Sequence, residues 1–213
     1  LAESEINQRI KESNLAPEIK IGYYPVYPDV HVSIMVRTTD QASGTLRFES
    51  ACSDLEQLLG NAAYGQDGEE LESIVGEKLL QAELQLGVAE SCTGGLLSHR
   101  ITRVPGSSRY FLGGAVAYAN ALKEGLLGIE HSTLVQSGAV SRETAAAMAI
   151  GVRKRSGADI GLSITGIAGP DGGTEDKPVG TVFIGISSRR GEQVEVFNFS
   201  GDRNRIQISA AQT

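Results

Sequence analysis

The sequence predicts an α/β protein whose main domain has three layers, a mixed sheet between two layers of helices. Two observations support this prediction. Strand-like runs alternate with helical patterns through the second two-thirds of the chain, and two late strand-like runs are joined by a short turn. Alternating strands and helices favour parallel pairing, and a late hairpin adds antiparallel strands to the same sheet.

The first 65 residues are predicted to form a separate, small α+β segment. A polar stretch at 60–68, rich in Gly, Asn, Gln and Asp, predicts the domain boundary, so the second domain is expected at 66–213. The elements predicted before the boundary are a polar helix at 2–13, strands at 19–24 and 30–39 around a turn at Pro25 and Pro28, and a helix at 45–59.

The second domain shows strand and helix patterns in alternation. The predicted elements are helices at 69–83, from 96, at 141–156 and from 202, and strands up to 90 and at 113–118, 159–165, 179–187 and 193–198. The chain starts without Met and stops inside the last of these helices. We therefore expect a longer natural polypeptide in which the last helix continues.

Composition argues against several classes of function. The formal net charge of −7 disfavours nucleic acid and anionic membranes as partners. No apolar run approaches the roughly 20 residues that cross a bilayer. Two cysteines are too few for a disulfide framework, which favours the reducing cytoplasm. No spacing of His, Cys and Asp is typical of a metal site, so neither a metal nor a cofactor is expected.

The segment at 84–97 carries the strongest functional signal. An apolar run leads into Ser91, two glycines follow shortly after, and a helical pattern then resumes, which predicts a buried strand, a tight turn and a helix start. The Ser91 hydroxyl there suits a nucleophile, with oxyanion donors from the N–H groups of Thr93, Gly94 and Gly95, or one wall of a phosphate site. A structural turn with an N-capping hydroxyl is the remaining alternative.

A serine nucleophile needs a base, and the three histidines do not form a convincing partner set. Tyr118 and Lys123 follow a predicted strand end and offer an alternative, because a desolvated lysine can act as base and a phenol can pass the proton. Taken alone, such a pair is also common on ordinary surfaces. Cys92 is a rival nucleophile, but strand alternation predicts that its side chain faces away from Ser91 and packs internally.

Two further segments suit ligand contacts. The glycine-rich loop at 165–174 follows a predicted strand but matches neither a Walker motif nor G-x-G-x-x-G. Its backbone N–H groups and the Thr165 hydroxyl suit a nucleotide-sized ligand, with an unliganded surface loop as the alternative. Arg203, near the start of the last helix, suits a phosphate group, although a lone arginine is usually solvated.

Six short motifs follow one another in a fixed order. They are Ala89–Gly95, Val104–Ser108, Tyr118–Asn120 with Lys123, Gly138–Ser141, Thr165–Gly173 and Pro178–Gly180. Together they resemble the C-terminal domain of the CinA family of competence/damage-inducible proteins, over residues 66–213. The resemblance implies a nicotinamide-nucleotide amidase that converts nicotinamide mononucleotide to nicotinic acid mononucleotide and ammonia without a metal.

The same resemblance implies the site residues. Ser91 would be the nucleophile, and Lys123 and Tyr118 would handle its proton. The implied contacts to the small-molecule nucleotide are Thr93, Gly94, Gly95, Asn120, Thr165, Gly166, Ala168, Gly169 and Arg203. One turn after Arg203, where the family tends to have a second arginine, this chain has Gln207.

Residues 1–65 resemble the KH-like segment of long CinA proteins, in which a molybdopterin-binding-like domain comes first. This segment carries 5 basic and 9 acidic residues and lacks G-x-x-G, the loop with which KH modules clamp nucleic acid. We therefore expect an interdomain or oligomer element, and a homo-oligomer, rather than nucleic-acid binding. A domain that senses nucleotides without catalysis is the other alternative, which the presence of Ser91, Tyr118 and Lys123 disfavours.

Overall fold

The computed structural model describes residues 3–13 and 19–213, so residue 2 of the predicted helix at 2–13 lies outside the described part. The chain divides into two compact units, Leu1–Gly68 and Glu69–Thr213. Among the described residues, no helix combines the length and the apolar character needed to cross a bilayer.

The first unit packs two helices with an antiparallel hairpin. Its elements are α1 (Glu3–Glu12), β1 (Ile19–Val26), β2 (Asp29–Val36) and α2 (Gln41–Leu59), followed by a short 3-10 turn at Gly60–Ala62. Ile6 and Ile10 of α1 meet Leu55 and Leu59 of α2 in its core, together with apolar side chains of the hairpin.

Two predicted boundaries in this unit were wrong. Pro25 lies within β1, opposite Val30, rather than in the turn. Each strand of a two-stranded hairpin has a free edge, where a residue without an N–H group is tolerated. Helix α2 starts four residues earlier than the predicted residue 45, because the Asp40 side chain caps it by accepting from the Ser43 N–H.

The second unit contains the predicted alternation of strands and helices. The helices are α3 (Leu71–Gln81), α4 (Leu96–Arg103), α5 (Asn120–Leu127), α6 (His131–Ser137), α7 (Arg142–Ser156) and α8 (Arg203–Gln212). The strands are β3 (Leu86–Glu90), β4 (Phe111–Val116), β5 (Ile160–Gly166), β6 (Thr181–Ser188) and β7 (Gly191–Asn198).

These five strands form one sheet in the order β4-β3-β5-β6-β7. Strand β3 runs parallel to both of its neighbours, whereas β5, β6 and β7 pair antiparallel. The predicted mixed α/β sheet is therefore confirmed.

Helices cover both faces of the sheet, and the inner strand β3, which lies between β4 and β5, shows why. All five residues of β3 are buried, and successive side chains of a strand point to opposite faces. Ala89 packs with Met148 of α7 on one face. Val88 packs with Leu79 of α3 and Ile101 of α4 on the other.

The parallel strands β3, β4 and β5 all end at one edge of the sheet, where open α/β sheets bind ligands. The segments that follow them carry Ser91, Tyr118 and the glycine-rich loop. Helix α5, which the sequence analysis did not predict, begins at Asn120 and places Lys123 in its first turn. Lys123 therefore lies on a helix rather than on a loop.

Candidate active site

Ser91 is the first residue after β3, in a turn that leads directly into α4. Its N–H donates to the Ile164 carbonyl at 2.9 Å, and its own carbonyl accepts from the Gly94 N–H at 3.1 Å. Gly94 and Gly95 have φ angles of 63° and 103°, a region that favours glycine. The two glycines therefore let the chain reverse beside the serine and start the helix.

Two of the three N–H groups expected to hold an oxyanion already have partners. The Gly94 N–H donates to the Ser91 carbonyl, and the Gly95 N–H donates to the Glu90 carboxylate at 3.0 Å. Among the residues described, the Thr93 N–H has no hydrogen-bond partner, and the buried Thr93 hydroxyl has none either. Thr93 thus carries unused hydrogen-bonding groups in this turn.

Lys123 reaches Ser91 from α5 and is only 1% exposed. Its Nζ lies 3.0 Å from Ser91 Oγ, 2.8 Å from the Ala117 carbonyl and 3.0 Å from the Tyr118 carbonyl. A neutral amine has two N–H groups and one lone pair. When the two carbonyls accept the N–H groups, the lone pair is left for the serine hydroxyl, which is the arrangement a general base needs.

The surroundings of Lys123 favour its neutral form. Desolvation by burial lowers the pKa of Lys123 from the ordinary value of 10.5, and the nearby Cys92 opposes this only in part. Within the described part of the chain, no carboxylate lies within salt-bridge distance of Nζ. The amine is therefore deprotonated at lower pH than an exposed lysine would be.

Cys92 follows Ser91 but points into the core. It packs with Ile164, Val182 and Ile206, and its burial raises the pKa of the thiol to about 11. A thiol with such a pKa keeps its proton at neutral pH and is a poor nucleophile. The geometry thus favours Ser91 over Cys92.

The phenol of Tyr118 contacts an arginine rather than the Ser91–Lys123 pair. Arg203 donates from Nη2 to Tyr118 Oη at 2.9 Å and from Nη1 to the Gly169 carbonyl at 2.7 Å. No hydrogen bond in the described residues joins the phenol to Ser91 or Lys123. Tyr118 is 57% exposed, so its side chain is open to solvent.

The glycine-rich loop enters this region through its first residues. Gly166 ends β5, and Ala168 is buried in the same apolar cluster as Cys92. The Thr165 hydroxyl, expected to face a ligand, is instead fully buried and donates to the Ala139 carbonyl at 2.7 Å. It therefore fastens the strand end to the 138–141 segment, while Asn120 is exposed at the start of α5.

Two residues that sequence reasoning did not assign also contact the nucleophile turn. Glu90 is fully buried and accepts hydrogen bonds from the start of α4. Gln207 donates from Nε2 to the Cys92 carbonyl at 2.7 Å, four residues after Arg203 and hence on the same face of α8. A signal for Glu90 was available, since it is the one charged residue in a strand that is otherwise apolar.

Comparisons with known proteins agree with this architecture. The family model described as the CinA C-terminal domain matches residues 68–213. A CinA-like protein of Desulfotalea psychrophila is 45% identical over 212 residues, covering 100% of this chain and 51% of that protein. A CinA-like protein of Geobacter metallireducens is 41% identical, covering 100% of this chain and 52% of that protein. The chain thus spans about half the length of these curated relatives.

Solved structures show the same fold. The crystal structure of the competence/damage inducible protein CihA from Agrobacterium tumefaciens is 37% identical and superposes with a TM-score of 0.66, covering 70% of this chain and 92% of that one. A CinA superfamily protein from Escherichia coli is 30% identical with a TM-score of 0.66, covering 72% of this chain and 92% of that one. This chain belongs to the CinA C-terminal domain family.

Proposed function

We propose that this chain hydrolyses the carboxamide of nicotinamide mononucleotide to nicotinic acid mononucleotide and ammonia, with Ser91 as nucleophile and Lys123 as base. The observation that carries the proposal is the 3.0 Å contact between Lys123 Nζ and Ser91 Oγ in a buried setting. Family membership and the six ordered motifs support this choice of substrate.

In the first step, Ser91 Oγ bonds to the carboxamide carbon while its proton moves directly to Lys123 Nζ. The Ala117 and Tyr118 carbonyls then hold the new ammonium, because both already lie within hydrogen-bonding distance of Nζ. The negative charge that develops on the carboxamide oxygen needs preorganised donors. We assign the Thr93 N–H to that task, since the Gly94 and Gly95 N–H groups are engaged within the protein.

In the second step, the C–N bond breaks, its electron pair stays on nitrogen, and one proton converts the departing group to ammonia. The proton comes from the Lys123 ammonium or from the Tyr118 phenol, and we assign both as proton-handling groups. Lys123 is then neutral again, because its proton has gone either to the ammonia or to the Tyr118 phenolate. Water adds to the acyl carbon while one of its protons moves to Lys123 Nζ, the Ser91 Oγ–C bond breaks, and Oγ takes that proton back from Nζ. The carboxylic acid that forms releases its remaining proton to the ammonia or to solvent. The net change is addition of one water and release of one ammonia.

Arg203 is the proposed contact for the phosphate of the nucleotide. Its guanidinium lies at the first turn of α8 and bridges Gly169 and Tyr118. Arginine pairs well with phosphate because its N–H groups match the phosphate oxygens in a planar fork. Binding there would place the anionic end of the substrate beside the phenol and leave the carboxamide for Ser91.

The experiment that tests the proposal is an ammonia-release assay with nicotinamide mononucleotide, run on the wild-type chain and on Ser91→Ala. We expect ammonia and nicotinic acid mononucleotide in equal amounts from the wild type, and neither from the variant. A wild type that binds the nucleotide but releases no ammonia would favour the alternative, a nucleotide sensor.

The excess of acidic residues in 1–65 supports an interdomain or oligomer role for that segment over KH-like nucleic-acid binding.

A further inference from the structure

Glu90 is the residue immediately before the proposed nucleophile, and it is completely buried. Its carboxylate accepts four hydrogen bonds. Oε2 accepts from the Gly95 and Leu97 N–H groups at 3.0 Å each, and Oε1 accepts from the Ser98 N–H at 2.8 Å and the Ser98 hydroxyl at 2.7 Å. These four donors offset the water that the carboxylate loses on burial.

The charge of Glu90 has no cation to balance it. The described residues place no lysine or arginine within salt-bridge distance of the carboxylate. Its compensation comes from the N-terminus of α4, where free N–H groups and the helix dipole favour an anion. Glu90 thus fills the anion site at this helix start, which is thereby closed to the phosphate or oxyanion of a ligand.

The backbone of Glu90 is tied to the other half of the site. The Glu90 carbonyl accepts from the Ala117 N–H at 2.8 Å, and the Ala117 carbonyl lies 2.8 Å from Lys123 Nζ. The side chain of Glu90 holds the far end of the turn that carries Ser91, through Gly95. Glu90 therefore connects the turn that carries Ser91, the start of α4 and the segment at Ala117 whose carbonyl contacts Lys123 Nζ.

We infer that Glu90 is a positioning residue that fixes Ser91 Oγ against Lys123 Nζ, and that its carboxylate occupies the anion site at the start of α4, so that no anionic group of a ligand binds there. This inference deepens the proposed function and depends on it for the assignment of Ser91 as nucleophile. Glu90 itself touches no reacting atom. It affects the rate by setting the position of Ser91 Oγ, because a displacement of about 1 Å can lower the rate of reaction about 100-fold.

Glu90→Gln is the direct test, because it keeps the shape and removes the charge. Whichever oxygen becomes an NH₂ group then faces N–H donors of α4 instead of accepting from them, so the turn must shift. The rate at which a fluorophosphonate labels Ser91 reports the serine and its base without any nucleotide. We expect that rate and kcat, both per folded molecule, to fall about tenfold or more, with KM within about threefold of wild type, because the proposed phosphate contact is untouched.

Glu72→Gln is the matched control. Glu72 is also a buried glutamate of this unit that contacts α4, through Arg100 at 2.8 Å, but it does not contact the turn of Ser91. We expect this control to lower Tm while its labelling rate per folded molecule stays within about twofold of wild type. An equal loss of labelling in both variants would overturn the inference, since it would then reflect general destabilisation.

Ser98→Ala keeps the inference testable if Glu90→Gln does not fold. It removes one of the four hydrogen bonds to the carboxylate and is expected to slow labelling about two- to fivefold, and an unchanged rate would overturn the inference. Failure of the substrate assignment shows differently. A wild type that is labelled at Ser91 but releases no ammonia would refute nicotinamide mononucleotide as substrate, while the labelling rates still decide the role of Glu90. Wild-type protein without labelling would overturn both.

Discussion

Lys123 Nζ and Ser91 Oγ lie 3.0 Å apart although 32 residues separate them in the sequence. Ser91 follows β3, and Lys123 is in the first turn of the helix that follows β4. Because β3 and β4 are parallel neighbours, both residues leave the sheet at the same edge. The contact therefore depends on parallel pairing and on the start of α5, which sets how far the lysine reaches back.

The identity of the nucleophile is tested by two neighbouring substitutions. Ser91→Ala should abolish ammonia release, while Cys92→Ala should retain most of it, because the Cys92 side chain packs in the core with a pKa raised to about 11. Circular dichroism and Tm would show that both variants fold. An inactive Cys92→Ala with an active Ser91→Ala would reverse the assignment.

The role of the amine is tested by replacing it with an apolar side chain of similar shape. Lys123→Met should lower kcat by roughly 100-fold or more, the usual span for the loss of general acid–base help, with a smaller change in KM. Lys123→Arg should not restore activity, because arginine keeps its proton at any working pH. Near-normal kcat in Lys123→Arg would make this residue an electrostatic anchor.

Lys177→Met is the matched control for that experiment. Lys177 also donates from Nζ to a backbone carbonyl, that of Val140 at 2.7 Å, but within the described part of the chain it makes no hydrogen bond to Ser91 or Tyr118. We expect its kcat to stay close to wild type. A loss equal to that of Lys123→Met would indicate that any lysine of this unit affects the rate through stability.

The pH dependence follows from the lowered pKa of Lys123. The base is active when deprotonated, so kcat/KM should rise about tenfold per pH unit below that pKa and level off above it, at a lower pH than an ordinary lysine would allow. The free energy of unfolding should also rise with pH. Between the folded pKa and the ordinary 10.5, the unfolded chain holds a proton that the folded chain has released, so stability rises with pH in this window.

Both pH effects can be measured on the same pair of proteins. Rate profiles of the wild type give the ascending limb, and denaturant titrations of wild type and Lys123→Met between neutral pH and pH 10 isolate the contribution of the lysine to stability. A wild-type rate profile without any ascending limb, from the lowest pH at which the protein stays folded up to pH 10, would contradict Lys123 as the base.

Sequence patterns predicted the strands and most helices because their periodicities are strong. The turn at Ser91 was predicted from an apolar run followed by glycines, and the hairpin of β6 and β7 from a short polar turn between β-branched runs. Helix α5 was missed because eight residues with an internal glycine carry little periodic signal. Its register, which brings Lys123 to Ser91, follows from strand pairing rather than from local pattern.

The hydrogen-bond partners of the groups in the site were harder to predict from the sequence than the residues that belong to it. The Gly95 N–H and the Thr165 hydroxyl were expected to face a ligand, but a neighbouring carboxylate and a distant carbonyl accept from them instead. Such pairings depend on which groups the fold brings within 3 Å, and spacing along the chain does not encode that. The same holds for the contact of Arg203 with Tyr118, 85 residues apart.

Independence from metal is expected from the side chains available. Within the described residues, no three His, Cys, Asp or Glu side chains are grouped as a metal site would require. Prolonged treatment with EDTA, followed by removal of the chelator, should leave the amidase rate unchanged. Loss of activity that a divalent ion restores would point to a metal-dependent hydrolase instead.

Arg203 is expected to contribute to both binding and rate, and two substrates can separate the contributions. Arg203→Gln should raise KM for nicotinamide mononucleotide by about tenfold or more, since a charged hydrogen bond contributes about 1.5–3 kcal/mol. It should change KM for nicotinamide riboside, which lacks the phosphate, much less.

Because Arg203 also holds the Tyr118 phenol at 2.9 Å, kcat should fall on both substrates, and Tyr118→Phe should reproduce that fall in kcat without the rise in KM. Arg205→Gln, on the same helix but two residues further and hence on another face, controls for the loss of one positive charge. An unchanged KM for the phosphorylated substrate in Arg203→Gln would place the phosphate contact elsewhere, and an unchanged kcat in Tyr118→Phe would leave Lys123 as the group that protonates the departing ammonia.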